Sequence, residues 1–588
     1  MSNSAPKSPP LWASPLRWLA VALALGGILL FFSALPHTAD AEVLGKPVGH
    51  WSSLLPPLVA ITLAIAFRSL VFSLSSAFFI GAILAFGPNP GAFLPGAATD
   101  FIWANLTNQF QIYIFGFLFC LIGMIHVTYT SGGIQAMVDQ IARLARGRRS
   151  AQGVTFLAGL AVFFDDYSNT VVVGNTMREL TDRYRISREK LAYLVDSTTA
   201  PIAGLALVST WIAFEVFLLG SAALSAGIPL DGYAIFFQMI PYRFYCLGTL
   251  LFLLLTVLTR REFGPMLRAE QRALQDGKLH RDGATLLVDE NIQGVIRSKR
   301  PHWAYAAFPI LLVIVTILGG ILLVGSARHE GWYGVPVALL SMEGLRNAFG
   351  AAAYNIYNPD GPGVMQILFW ASVIGGAVAI LLPAAGRAMK PLDGFKAYGR
   401  ALPTMWMAIF ILIMAWSMKT ICETLGTDTY IISVLGDRFP PFLLPLLTFL
   451  VAAGTAFAMG SSWATMGILI PVVLPLAGSL GLWDPTGGFL FFMTAAAVLD
   501  GAIFGDHCSP ISDTTVLSSI ASHCDHIDHV TTQVVYALAV MGLTGITGYL
   551  AVGLGLPLPF FFPLFLLAAL ALLFSIGKSP SQRPLSSS

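Results

Sequence analysis

Seven carboxylates, Asp165, Asp166, Asp196, Glu215, Asp500, Asp506 and Asp513, fall in or at the edge of long apolar runs. An ionisable group inside a bilayer costs roughly 2.5–3.5 kcal/mol or more on insertion scales, so each must face a cavity and find a partner. The bases within those runs are few, chiefly Arg68, Arg243 and Lys419. Acids therefore outnumber the cations that could neutralise them. Around them lie oxygen-bearing side chains: Ser168, Asn169, Thr170, Ser197, Thr198 and Thr199 in one region, Ser461, Ser462, Thr465, Ser509, Ser512, Thr514 and Thr515 in the other. Hard cations take oxygen ligands. A carboxylate withdrawn from water also binds a proton more readily, so one group can hold a proton when empty and release it when sodium arrives. Exchange of that kind needs no external energy source. For any single carboxylate the competing reading is structural, as an ion-pair partner or the cap of a broken helix.

Other chemistries fit less well. In HCDHIDH, residues 523–529, His523, His526 and His529 recur every three residues and, with Asp525 and Asp528, have the donors for a transition metal. No second ligand cluster supports that, and the metal expectation is none; proton sensing by the histidines is the other possibility for this tract. GxSxG, HExxH and Walker A sequences are absent, which argues against a hydrolase or an ATP-driven machine. Cys120, Cys246, Cys422, Cys508 and Cys524 stand singly, without CxxC spacing, and read as free thiols.

The elements that must position the acids are membrane spans. The chain is 56% hydrophobic and 11% charged, with a net charge of +2 and a mean hydropathy of +0.74. Such a composition means a polytopic membrane protein with no nucleic-acid partner. Runs close to the roughly 20 residues of a crossing helix lie at 18–35, 53–68, 69–87, 110–130, 190–219, 241–259, 303–325, 364–384, 403–420, 489–510, 533–553 and 557–577. Two others, 151–177 and 441–477, behave differently. Arg143, Arg146, Arg148 and Arg149 precede the first and Arg178, Arg183, Arg185, Arg188 and Lys190 follow it, so by the positive-inside rule both its ends are cytoplasmic. It is too short to cross twice and is expected to dip in and return, with Asp165 to Thr170 near the tip. Polar backbone is tolerated there only beside protein or a wet cavity. The second stretch, 441–477, is taken as a hairpin entered from outside.

The halves repeat one plan. FFDDYSNTVVVG and the later YLVDSTTAPIAG are matched by FAMGSSWATMGILIP and AVLDGAIFGDHCSPISDTT. Each pairs a small, polar hairpin tip with a span broken by Asp, Ser/Thr and Pro, where Pro201 and Pro510 are the expected breakers. Opposite entry sides make the halves an inverted repeat, the plan of secondary transporters that bind at the midplane between discontinuous helices. The expected fold is an all-α polytopic membrane protein with about 11–12 transmembrane helices plus two re-entrant hairpins.

The blocks FFDDYSNTVVVGNTMRELTDRYRISREKLAYLVDSTTAPIAGLALVSTW, FAMGSSWATMGILIPVVLPLA and GDHCSPISDTTVLSSIASHCDHIDHVTTQ resemble the NhaC-type sodium/proton antiporter family of the ion transporter superfamily, from about residue 50 onward. The resemblance implies a cation/proton antiporter with elevator-like alternating access, whose site contains Asp166, Asn169, Asp196, Ser461, Ser462, Asp506 and Asp513. Asp165, Ser168, Thr170, Ser197, Thr198, Thr465, Asp500, Ser509, Ser512 and Thr514 would support it. Asp166 is the expected binder at its tip and Asp165 the helix cap. Some members resemble exchangers of organic anions such as malate for sodium lactate, which leaves a coupled carrier of an organic acid or amino acid as the alternative. No Arg lies in either hairpin tip, which disfavours a carboxylate substrate. The expected partners are the bilayer of the inner (plasma) membrane, sodium and protons as cargo, and no cofactor; a homodimer is compatible with such a carrier.

The chain divides into residues 1–50, read equally well as a signal peptide or a first span; a first half, 51–259; a polar cytoplasmic loop, 260–302; a second half, 303–577; and a cytoplasmic tail, 578–588. Residues 334–350 are expected to form an interfacial or short re-entrant helix.

Overall fold

The computed structural model describes residues 42–581 apart from 44–45, 48, 68–69, 108, 286–299, 331–363, 401–402, 404–405, 428–429, 431–439, 484–487 and 511. The expected span 18–35 and the segment 334–350 lie outside the described residues. Among the described residues, six helices are long and apolar enough to cross a membrane, or up to nine spans if each of three bent pairs counts as one. Shorter apolar helices lie at Trp51–Leu63, Thr210–Ser225 and Ala304–Gly320. The chain is a helical membrane protein; the count by length falls below the sequence count because several spans are interrupted and because 18–35 and parts of other expected spans lie outside the described residues. A two-residue antiparallel pair, β1 (Glu42–Val43) with β2 (Lys46–Pro47), precedes the helices.

The first helices are α1 (Leu55–Phe67) and α2 (Leu70–Phe86), then α3 (Pro90–Gly96). The chain turns by 113° between Val71–Phe86 and Pro90–Trp103. Sequence reading assigned nothing to 88–109, because Asn89 and Pro90 look like a turn. In fact they start a helix: the Asn89 side chain accepts from the Gly91 N–H at 3.0 Å, and Pro90 stands where no backbone donor is needed. Next come α4 (Gln109–Thr130) and α5 (Gly133–Ala142).

The first expected hairpin is present as α6 (Arg148–Ala161) and α7 (Asp166–Arg183). The Arg148 guanidinium donates to the Arg185 carbonyl at 2.5 Å, so the two arms meet again at their basic end. The following span is interrupted into α8 (Arg188–Asp196), α9 (Ala200–Ala203) and α10 (Thr210–Ser225). The break falls just before Pro201, which occupies the first turn of α9. After α11 (Gly232–Met239) and α12 (Phe244–Thr259), α13 (Gly264–Gln271) lies in the polar loop.

The second half begins with α14 (Ala304–Glu330), α15 (Val364–Ala385), α16 (Pro391–Gly399) and α17 (Trp406–Leu425). Its hairpin is α18 (Leu444–Met459) and α19 (Ser462–Ser479), its interrupted span α20 (Phe489–Cys508) and α21 (Asp513–Ala521). Helices α22 (His526–Thr544) and α23 (Phe561–Ser575) close the chain. Pro510 lies in the break between α20 and α21.

Small residues let these pieces approach. A Cβ on Gly501 would stand 2.5 Å from the Phe449 carbonyl oxygen, and one on Gly505 would stand 2.3 Å from the Phe457 nitrogen. Helices α18 and α20 thus pack backbone to backbone, as small residues four apart allow in membranes, where van der Waals contact rather than hydrophobic transfer drives association. The halves touch in the same way: a Cβ on Gly174 of α7 would lie 2.7 Å from that of Ala521 on α21.

Candidate functional site

The two hairpin tips share one local design. Asp165 is extended, with φ −157° and ψ 127°, and its side chain accepts from the Ser168 N–H at 2.8 Å. Ser461 has φ −150° and ψ 116°, and its side chain accepts from the Ala464 N–H at 3.3 Å. Each caps the returning arm three residues on, satisfying a backbone donor that helix geometry leaves unpaired. Asp165 is thus the cap that the sequence suggested, and Ser461 its counterpart. The next residues, Asp166 and Ser462, are buried at the start of each arm. Four positions after the caps stand Asn169 and Thr465.

Asn169 stitches the first tip to the broken span. Its amide nitrogen donates to the carbonyls of Gly159 at 2.8 Å, Thr198 at 2.9 Å and Val162 at 3.3 Å. Its oxygen is buried and accepts no hydrogen bond among the described residues. Thr170 and Thr199 hydroxyls meet at 3.2 Å, and the Thr210 hydroxyl reaches Asp165 at 3.3 Å. Thr198 bonds back to Leu194 and Val195, and Ser197 turns to His507, so these two shape the break.

At the second tip, Ser462 donates to Asp506 at 3.0 Å and Ser512 donates to its other oxygen at 2.6 Å. Ser512 also contacts Thr514 at 3.0 Å, and Thr515 donates to the Asp506 carbonyl at 3.1 Å. Ser509 donates to the Phe457 carbonyl at 2.7 Å, fixing break to hairpin. Asp513, exposed at the start of α21, receives the Tyr167 hydroxyl from the first tip at 3.4 Å. Asp166 and its neighbour therefore come close to the Asp506–Asp513 break.

Asp196 sits fully buried at the end of α8. One oxygen faces His529 Nε2 at 3.2 Å and Gln533 Nε2 at 2.5 Å. The other accepts no hydrogen bond among the described residues. Gln533 also donates to the His507 carbonyl, and the His507 ring bridges Ser197 at 2.9 Å and the Tyr245 hydroxyl at 2.9 Å. Sequence reading named neither Gln533, Tyr245 nor His507; His529 stood only within its tract. That tract is divided between jobs. His526 contacts Ser519 at 3.0 Å and the Pro510 carbonyl at 2.7 Å, while His529 faces Asp196. Among the described residues no three His, Cys, Asp or Glu side chains gather as a metal site would require. All five cysteines are buried and none is in a disulfide.

Asp500 is held elsewhere. It accepts from Arg243 Nε at 2.8 Å, the Tyr245 N–H at 2.6 Å and the Tyr549 hydroxyl at 2.8 Å. It anchors an ion pair and does not reach the tips through any of these bonds.

At the basic end, the segment after α12 clasps the binding elements. Lys190 pairs with Glu262 at 2.8 Å, Arg148 with Glu270 at 2.5 Å and Arg272 with Glu189 at 2.8 Å. Glu270 also accepts from the Ser187 N–H at 2.8 Å. Arg281 reaches Asp528 at 2.9 Å. Burial alone would raise Asp525, the cap of α22, but the N–H groups of Thr285, Asp528 and Ile527, with Arg281, hold its carboxyl below the usual range.

Two equivalent hairpins, each meeting an interrupted helix over buried carboxylates in a bundle of membrane spans, define a membrane transporter. The chain belongs to the Na+/H+ antiporter family, whose model matches residues 202–554. It is accordingly a carrier and not an enzyme. A Haemophilus influenzae protein described as uncharacterized is 28% identical over 497 residues, covering 82% of this chain and 87% of its own. The arginine/ornithine antiporter ArcD of Halobacterium salinarum is 34% identical over 112 residues, 19% of this chain and 22% of that protein. The malate-2H(+)/Na(+)-lactate antiporter of Bacillus subtilis is 35% identical over 82 residues, 14% and 16% of the two chains. Among solved structures, the YdaH transporter of Alcanivorax borkumensis aligns at a TM-score of 0.47 with 14% identity, covering 94% of this chain and all of that one. MtrF of Neisseria gonorrhoeae aligns at 0.44 with 13% identity, covering 97% and 95%.

Proposed function

We propose that this carrier exchanges sodium for protons by alternating access across the inner (plasma) membrane, the hairpins and interrupted spans moving in an elevator-like step. One observation carries the reading. Among the described residues, the partners that hydrogen-bond the carboxylates of Asp166, Asp196, Asp506 and Asp513 are hydroxyls, a backbone N–H, an imidazole and an amide, with no lysine or arginine. A site rich in oxygen and without a fixed cation suits a hard cation or the protons that replace it. Asp506 with Ser462, Asp166, the free oxygens of Asn169 and Asp196, Ser461 and Asp513 are the donors assigned to it. Sodium and protons are the cargo, and no cofactor is required.

Exchange of a small organic acid or amino acid is the second reading. It draws support from the two antiporter relatives, over short stretches only, and the absence of a basic partner at these carboxylates among the described residues weighs against an anionic substrate.

The experiment is sodium-driven proton movement in proteoliposomes, read by an interior pH dye, for the wild type and Asp196→Asn. Movement in the wild type that the variant loses supports sodium/proton exchange with Asp196 in the coupling. A wild type that moves protons only when an organic acid or amino acid is supplied replaces this reading with the second.

A further inference from the structure

Apart from the tips lies a second cluster of buried charge. Glu215 of α10, Arg243 just before α12 and Asp500 of α20 are each fully buried. One guanidinium faces two carboxyls. Asp500 is saturated by its three donors and is the group that Arg243 neutralises, through Nε at 2.8 Å. The Arg243 Nη2 atom turns to Cys246 Sγ at 3.5 Å. Its Nη1 atom stands 3.8 Å from Glu215 Oε1, outside hydrogen-bond range. Neither Glu215 oxygen, nor Nη1, has a hydrogen-bond partner among the described residues. The charged groups that face Glu215 are Arg243 and Asp500. From the other elements packed on α10, namely α4, α9, α11, α17 and α19, no described side chain is hydrogen-bonded to it.

We propose that Glu215 is a proton-binding site in its own right, separate from the hairpin tips, and that the transport cycle loads and unloads it. An ionised carboxylate buried without donors is not sustained in a protein interior; the group takes a proton instead. What makes that proton exchangeable is the seat of Arg243. A Cβ on Gly204, at the end of α9, would lie 2.9 Å from Arg243 Nη2 and 2.7 Å from Ile503 Cδ1. The guanidinium thus rests on the backbone of the interrupted span that carries Asp196. A displacement of that break by about 1 Å brings Nη1 within hydrogen-bond range of Glu215. Ionised Glu215 is then favoured and its proton leaves to water; when the guanidinium withdraws, a proton from water rebinds. The link to the transport cycle rests on the exchange reading above, whereas the proton on Glu215 does not.

The test is infrared difference spectroscopy of the full chain in lipid, following the carboxylic acid carbonyl band as pH and sodium are changed, for the wild type, Glu215→Gln and Asp166→Asn. The proposal expects a band that vanishes in Glu215→Gln, persists in Asp166→Asn and loses intensity as pH rises. Labelling the glutamate side-chain carboxyl carbon with 13C in the wild type must shift the same band, which keeps the proposal refutable should Glu215→Gln not assemble; Glu189→Gln, Glu262→Gln and Glu270→Gln must leave the band in place. A band that ignores the label, or one unchanged across the pH range, overturns it. Proteoliposomes distinguish the two readings: a wild type that moves no protons with sodium sinks the exchange reading while the band still decides Glu215. A glutamate band that titrates but does not respond to sodium, in a chain that does exchange, removes Glu215 from the cycle.

Discussion

Asn169→Ala removes an amide that no neighbour can replace. Its two short bonds, 2.8 Å to the Gly159 carbonyl and 2.9 Å to the Thr198 carbonyl, join the outgoing arm of the first hairpin to the break after Asp196. The bond to Val162, at 3.3 Å, is weaker. Each short bond is worth about 1 kcal/mol net, and carbonyls left unpaired in a buried site add to the loss, so about 2–4 kcal/mol of local stability goes. That is a factor of roughly 30 to 1,000 in the equilibrium for parting tip from break. Amide hydrogen exchange in lipid nanodiscs reads it directly. Protection should fall at residues 159–170 and 196–204 and hold in α4 and α15, which share no hydrogen bond with the Asn169 side chain among the described residues. Asn169→Asp, which keeps an oxygen and loses the donors, should fail in the same segments. Unchanged protection, or a uniform loss across the chain, would refute the claim that this one amide fastens hairpin to break.

Ser462→Ala deletes a hydroxyl bonded to a carboxylate at 3.0 Å, a bond class worth about 1.5–3 kcal/mol; the sodium KM for proton exchange should rise roughly tenfold or more with assembly intact, and an unaltered KM would exclude Ser462 from the site. Gly505→Ala forces a methyl to within 2.3 Å of the Phe457 nitrogen, and overpacking against backbone costs about 3 kcal/mol. Its thermal midpoint in detergent should drop, whereas Gly454→Ala, which meets nothing within 4 Å, should melt with the wild type. Asp525 has a native pKa held below its unfolded one, so its stabilisation is complete above about pH 4 and is lost as pH falls through the native value. Asp525→Asn should therefore lower stability at neutral pH and flatten the decline below about pH 4, and parallel melting curves for the two proteins across that range would contradict it.

The hairpins were legible because their signals are local. Arginines bracket residues 151–177, and Asp165 precedes Ser168 by the three residues of a helix cap, so both the dip and its cap follow from short-range chemistry. The interrupted spans showed themselves through Asp, Ser/Thr and Pro inside apolar sequence. The bend after α2 stayed hidden because Asn89-Pro90 starts a helix and ends a turn with equal ease. The partners of Asp196 could not be read at all: His529 and Gln533 lie 333 and 337 residues away along the chain, and one sequence carries no mark of which distant polar residue faces which. The same holds for Arg243, whose choice of Asp500 depends on how α12 and α20 pack. Counting acids against bases suggested a surplus, but only the contacts tell that Asp500 is paired with Arg243 while neither Glu215 oxygen has a hydrogen-bond partner among the described residues.

The equivalent caps, Asp165 and Ser461, and the residues after them, Asp166 and Ser462, agree in backbone and differ in charge. The first tip brings two carboxyl groups of its own; the second brings two hydroxyls and borrows Asp506 from its interrupted helix. Backbone pseudo-symmetry therefore does not extend to electrical symmetry. If the cargo is the cation proposed above, one arriving past the first tip meets acidic side chains at once, and one arriving past the other meets neutral dipoles first. On that reading, half-saturation on the two faces is set by different side chains and can be tuned one face at a time.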